Sequence, residues 1–165
     1  MRKLQLLVVA FLLCVGCEKE RKEPTDAVQE EVAYEYGKMP KKEPVSQEAA
    51  EILNAWEAFS EFSRSVDILY RATSSEDLSL AMEDVIAKEK LLAESEYPAT
   101  FDVPQIKSRQ QVLRTFLLKA KGDLDGRRNP TSSMMQLFDA YNAMRSQFII
   151  ITSNTLELNL FLNDE

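Results

Sequence analysis

From Gln47 to the end of the chain, apolar residues recur at intervals of three and four, the spacing that lines one face of an α-helix. The first such stretch, about Gln47–Ala72, carries Ile52, Trp56, Phe59, Val66 and Tyr70, with Ser63 in the one polar slot. Ser46 is placed to cap it. The second, about Glu76–Glu96, repeats Leu78, Met82, Val85, Glu89 and Leu92, and Thr73 with Glu76 has the spacing of a capping box. The third, about Val103–Asp125, turns Ile106, Arg109, Leu113, Phe116, Leu117, Ala120 and Leu124 inward. Asp102 is its expected cap, Phe101 and Ile106 could staple its start, and Gly126 ends it. The fourth opens at Asn129-Pro130 and holds Met134, Leu137, Tyr141, Met144, Phe148, Ile151, Leu158 and Leu162 on one stripe. Residues 156–160 also alternate like a strand, but no second strand is available to pair with them. Short connections near 73–75, 97–102 and 126–130 make successive helices antiparallel. The pattern predicts an all-α fold: an up-down-up-down antiparallel four-helix bundle over residues 47–165.

The N-terminal part reads differently. Residues 18–46 are rich in charge and interrupted by Pro24, Pro40 and Pro44, so little of the segment can pack. It is expected to be a flexible tether, reaching roughly 30 Å as a random coil. Val28, Val32 and Tyr36 recur every four residues and could form a short helix that docks on the domain.

Ahead of it, Met1-Arg2-Lys3 is basic and Leu4–Val15 is apolar apart from Gln5. That run is too short to span a bilayer, which takes about 20 residues, but it suits the apolar region of a secretory signal. Val15-Gly16-Cys17 closes it, and charge begins at once with Glu18. This segment resembles the signal and lipobox of bacterial lipoproteins, with Cys14 standing where the motif usually has Leu. The resemblance covers about a tenth of the chain. It implies cleavage after Gly16, a diacylglyceryl group on the Cys17 sulfur and an acyl chain, such as palmitate, on the new amino terminus. Residues 1–16 would then be signal peptide, 17–46 lipidated cysteine and tether, and 47–165 the domain. Two anchoring signals suffice for stable membrane attachment. In enteric lipoproteins an Asp after the cysteine favours the inner membrane. Glu18 therefore points to an outer membrane, with the domain facing periplasm or cell surface.

Composition narrows the chemistry. The chain has 165 residues, no histidine and two cysteines, both in the leader segment. Histidine catalysis and histidine metal sites are excluded, and with Cys17 acylated no free thiol or intrachain disulfide remains. Ser74-Ser75 and Ser132-Ser133 sit at helix starts, where capping explains them, and no activating base accompanies them. The carboxylates Asp77, Glu83, Asp84, Glu94 and Glu96 fall mostly on an outer helix face. No catalytic residue, metal site or cofactor is expected.

Charge is polarised. Residues 43–102 sum to −10, 103–128 to +5 and 129–165 to −3. A basic helix could attract nucleic acid or anionic lipid, but between two acidic helices it serves the bundle's own field. Without residues 1–16, 18 basic residues face 27 acidic ones, a net of −9, which argues against nucleic acid.

Two features stand apart. Glu89 and Arg109 lie inside the apolar stripes, about ten residues either side of the second turn. They are expected to form a buried pair that fixes register, with a polar ligand site as the alternative. On the fourth helix Phe138, Ile149, Leu156 and Leu160 widen the apolar face beyond what one core needs. Either another segment such as Val28, Val32 and Tyr36 covers it, or it is a partner-binding face. The combined expectation is a non-enzymatic, lipid-anchored envelope protein that binds or scaffolds a protein partner. An immunity-type lipoprotein would be one such case. The alternative is a carrier or sensor for a small apolar or anionic ligand.

Overall fold

The structure, a computed structural model, describes residues 34–163, and side-chain surroundings over residues 34–155. Cys17, Val28 and Val32 lie outside the described residues, as do the side chains of Leu156, Leu158, Leu160 and Leu162.

Among the described residues the secondary structure is helical throughout, with no strand. A 3-10 turn at Tyr36–Lys38 precedes α1 (Gln47–Ala55), α2 (Glu57–Leu69), α3 (Ser75–Glu94), α4 (Pro104–Asp125) and α5 (Thr131–Asn163). Residues 156–160, with their strand-like alternation, belong to α5.

The first expected helix is in fact two. At Trp56 the backbone turns to an extended conformation (φ −86°, ψ 93°), although its N–H still bonds the Ile52 carbonyl at 3.1 Å. Its own carbonyl then accepts from the Ser60 N–H at 2.9 Å, opening α2. The last carbonyls of a helix lack intrahelical partners. Here the Ser60 hydroxyl lies 3.4 Å from the carbonyls of both Leu53 and Asn54. No glycine or proline marks the break. What the bend achieves is burial of the indole, whose N–H donates to Ser95 Oγ at 3.1 Å. Its ring lies 5.8 Å from Phe59 and 4.7 Å from Tyr97.

Helix starts follow local chemistry. Ser46 Oγ accepts from the Ala49 N–H at 3.3 Å, and Asn129 Oδ1 from the Thr131 N–H at 2.9 Å. Two caps sit one residue later than expected. Ser74, not Thr73, accepts from the Asp77 N–H at 3.0 Å. Val103, not Asp102, is the cap of α4, because Pro104 fills the first helical position, where a missing N–H costs nothing.

Consecutive helices pack on one another, and α1 also meets α5. Leu78, Met82, Val85 and Leu92 of α3 are buried with Ile106, Leu113, Leu117 and Ala120 of α4 and Met134, Leu137, Tyr141, Met144 and Phe148 of α5. Rings knit α2 to α5: Phe59 stands edge-on to Phe148 at 5.2 Å and Phe62 edge-on to Tyr141 at 5.9 Å. Each fully buried large apolar side chain contributes about 1.5–3 kcal/mol. The polar slot at Ser63 is also used, its hydroxyl lying 2.9 Å from Tyr141 Oη.

The expected tether does not extend to residue 46. Residues 34–45 lie along the helices as a strap. The Glu35 N–H donates to Thr131 Oγ1 at 3.1 Å, and Lys42 pairs with Asp67 at 2.7 Å. The Glu43 N–H donates to Asn142 Oδ1 at 3.0 Å, while Asn142 Nδ2 donates to the Lys41 carbonyl at 2.8 Å. Arg145 Nε donates to the Glu43 carbonyl at 2.7 Å. Tyr34, Met39 and Val45 pack against the core, whereas Tyr36 is exposed.

The strap lies over one side of α5, bonded to Thr131, Asn142, Arg145 and Ser146. Asn142 and Arg145 are buried beneath it. Phe138 is fully buried and stacked on Tyr70, with ring centroids 3.8 Å apart, so it is a core residue and not a partner contact. Ile149 is half-buried.

Candidate binding cleft

The end of α3, residues 95–103 and the first half of α4 enclose a cleft of about 700 Å³. Its wall contains the buried carboxylate expected from the sequence, Glu89, which is 1% exposed. The expected partner is wrong. Arg109 is exposed, and the cation that reaches Glu89 is Arg114, whose Nη1 donates to Oε2 at 2.8 Å. The other carboxylate oxygen, Oε1, accepts from Gln110 Nε2 at 3.1 Å. Gln110 is buried too, and its carbonyl oxygen accepts the Tyr97 hydroxyl. Tyr97, Gln110, Glu89 and Arg114 thus form one chain of hydrogen bonds running from the loop, through α4, to α3 and back.

Local structure aims each of these groups. Glu89 is carried inward by the stripe of Val85 and Leu92, and Gln110 by that of Ile106 and Leu113. Tyr97 is placed by the turn after α3, where the Ser95 hydroxyl donates to the Leu92 carbonyl at 2.8 Å and accepts the Trp56 indole N–H. A second turn, with the N–H groups of Phe101 and Asp102 bonded to the Pro98 carbonyl at 2.7 and 2.9 Å, returns the chain toward α4. Phe101 anchors it, fully buried 4.6 Å from Phe148.

Electrostatics follow from this geometry. Burial pushes the Tyr97 hydroxyl above its ordinary pKa, and the Glu89 carboxylate adds to the shift against the opposing hydrogen bond to Gln110. At the rim, Lys107 pairs with Asp102 and sits 5.4 Å from the centroid of the Tyr97 ring. The side chain of Arg114 is 43% exposed while that of Glu89 is buried, so the pair has one buried end and one that reaches the cleft. Among the described residues, Glu89 is the only hydrogen-bond partner of Arg114, leaving Nε and Nη2 with donors to spare. Donors from Arg114, Lys107 and Gln111 line the cleft together with the carboxylates of Glu96 and Asp102, and Ala93, Ala99 and Tyr97 complete its wall. Both cations of the cleft are thus paired with its own carboxylates, and Glu96 adds a further negative charge. Sequence periodicity located Glu89 but missed Gln110, Arg114 and Tyr97.

Elsewhere on α4, Lys121 pairs with Glu83 of α3 at 3.4 Å and with Asp125 at 3.0 Å, and Lys119 donates to Gln136 of α5 at 2.6 Å. Part of its positive charge thus serves neighbouring helices. Among the described residues no group of three or more metal-ligating side chains is assembled. Among them, too, no helix is long and apolar enough to cross a membrane. No protein-family model matches the chain, and neither a curated protein nor a solved structure matches it.

Proposed function

We propose that the chain is a lipid-anchored, non-enzymatic protein of a bacterial cell envelope, whose helical body binds a protein partner near the membrane. The observation that carries this reading is the leader: a basic start, an apolar run and Val15-Gly16-Cys17, followed directly by charge. With Cys17 acylated, the spacer between anchor and body would be residues 18–33. Sixteen residues reach roughly 20–24 Å as a flexible chain, so the body would stay close to the bilayer. Lack of Asp after Cys17 supports an outer membrane, with the body toward periplasm or cell surface. Of the partner face first expected on α5, Leu156 and Leu160 remain candidates.

We also infer that α2 to α5 run up-down-up-down as the bundle proper. Their short connections, residues 70–74, 95–103 and 126–130, support that topology.

The test is fractionation of cells producing wild-type chain or Cys17→Ser. The wild type should sediment with membranes, and the variant should be released or persist as uncleaved precursor. Correct cleavage with unchanged membrane attachment in the variant would remove the basis of the reading.

The alternative, a carrier of a small ligand, draws support from one observation: the cleft beside Glu89, with donors of Arg114 left over.

A further inference from the structure

We propose that residues 34–45 are a releasable latch. The strap undocks from α5 as a unit while the body stays folded, and its release lengthens the spacer that carries the body. The two sides of this contact are unlike. On the body, Asn142 and Arg145 are buried. On the strap no residue is buried, and Glu35, Lys41 and Glu43, whose groups make most of the bonds, are exposed. Among the described residues the buried apolar core begins at Ala49. Release therefore removes no core side chain. It forfeits only the partial burial of side chains such as Tyr34, Met39 and Val45.

Arg145 favours opening. Its Nε donates to the Glu43 carbonyl at 2.7 Å, its Nη1 lies 3.5 Å from Tyr141 Oη, and its guanidinium sits 5.5 Å from the centroid of the Tyr141 ring. Among the described residues its hydrogen-bond partners are that carbonyl and that hydroxyl, and neither is a carboxylate. A buried cation without a counter-ion has lost hydration that neutral partners replace only in part. Undocking returns water to the guanidinium and to the Asn142 carboxamide, so the broken bonds are exchanged for bonds to water rather than left unmade. A segment held by such bonds, with little apolar burial, belongs to the parts of a protein that open below global unfolding.

The consequence for reach rests on the anchor reading above. With Cys17 held in a membrane, release extends the free spacer from residues 18–33 to residues 18–45. Its average span rises from roughly 20–24 Å to roughly 26–32 Å. Its full stretch rises from roughly 55 Å to roughly 95 Å. The latch then sets how far from the bilayer the body can work.

The full chain, purified in detergent, would be treated with trypsin under native conditions and followed by mass spectrometry. Cleavage after Lys38 and Lys41 in the strap is compared with cleavage after Lys88 in α3 and Arg109 in α4. Native-state proteolysis reads the population of the open form. The strap sites should be cut at least about tenfold faster than the helix sites. The product beginning at Lys42 should keep the helical circular dichroism of the intact chain. Asn142→Ala removes the bonds to both Lys41 and Glu43, and should speed cutting after Lys38 and Lys41 alike by about tenfold. If that variant fails to fold, Thr131→Val, which removes the acceptor of the Glu35 N–H, should still speed both cuts severalfold. Equal cleavage of strap and helix sites would overturn the latch, because the strap would then leave only when the body unfolds. Loss of helix in the cut product would overturn it too, as would strap cleavage that a folded variant leaves unchanged or changes at one site alone. The Cys17→Ser fractionation reads none of these quantities, so the anchor and the latch can fail separately.

Discussion

At the scale of single residues, the Glu89 network shows what helical periodicity can and cannot read. A carboxylate between Val85 and Leu92 had to be buried, and it is. Its partner required finer geometry. At about 100° per residue, Gln110 lies roughly 40° from Ile106 and Arg109 roughly 60° on the other side. That difference places Gln110 inside and Arg109 outside. Arg114 lies farther round still, but its long side chain reaches back, which no count of positions reveals. Arg114→Met should therefore cost about 1–3 kcal/mol, less than a fully buried pair because half the cation is solvated and Gln110 still serves Glu89. Arg109→Met should cost under about 0.5 kcal/mol. Urea unfolding of the two variants gives the comparison, and equal costs would place the ion pair elsewhere. Tyr70 supplies a second case. Its hydroxyl is buried and, among the described residues, has no hydrogen-bond partner. Its ring stacks on Phe138, and burial holds its pKa well above the ordinary tyrosine range. Removing an orphaned hydroxyl relieves its desolvation, so Tyr70→Phe should raise stability by about 1 kcal/mol. A loss in thermal unfolding would show that the hydroxyl is satisfied.

At the scale of elements, the apolar stripes of α3, α4 and α5 were legible because each is long and regular. The caps at Ser46 and Asn129 were legible because a side-chain acceptor stands at the right spacing. The break at Trp56 was not. Its stripe continues from Ile52 to Phe59 without a glycine or proline, and the cause is tertiary: the indole reaches Ser95 and Tyr97 across the molecule. The strap was hidden for a related reason. Residues 34–45 look like linker because most of their hydrogen bonds to α5 are made by backbone groups, through carbonyls of Lys41 and Glu43 and the Glu43 N–H, which composition does not report. Asn142→Ala removes two of these bonds at once and should cost about 1–3 kcal/mol. A chain beginning at Ser46 should likewise be less stable than one beginning at Tyr34 in chemical denaturation. Equal stability of those two chains would mean that the strap contributes nothing to the body.

At the scale of the whole molecule, the body carries partly buried phenols in three places: Tyr34 at the start of the strap, Tyr70 at the end of α2 and Tyr97 in the cleft. Burial pushes Tyr34 up to about 12 and raises the other two. Above pH about 10 the unfolded chain releases phenolic protons that the folded chain retains, so stability should fall as pH rises from about 10 toward 12. Below pH 10 these groups should leave stability unchanged. Denaturation midpoints across that window check the sign, and a rise with pH would contradict it. Beyond the body, function turns on what Cys17 becomes. The charged spacer, the body and the cleft acquire an address only if that sulfur carries lipid. Intact-mass analysis of the protein from a membrane fraction tests this most directly. The expected species begins at Cys17 and carries the added mass of a diacylglyceryl group and an amide-linked acyl chain. A chain that retains residues 1–16, or one that begins elsewhere with Cys17 unmodified, would contradict the lipid anchor.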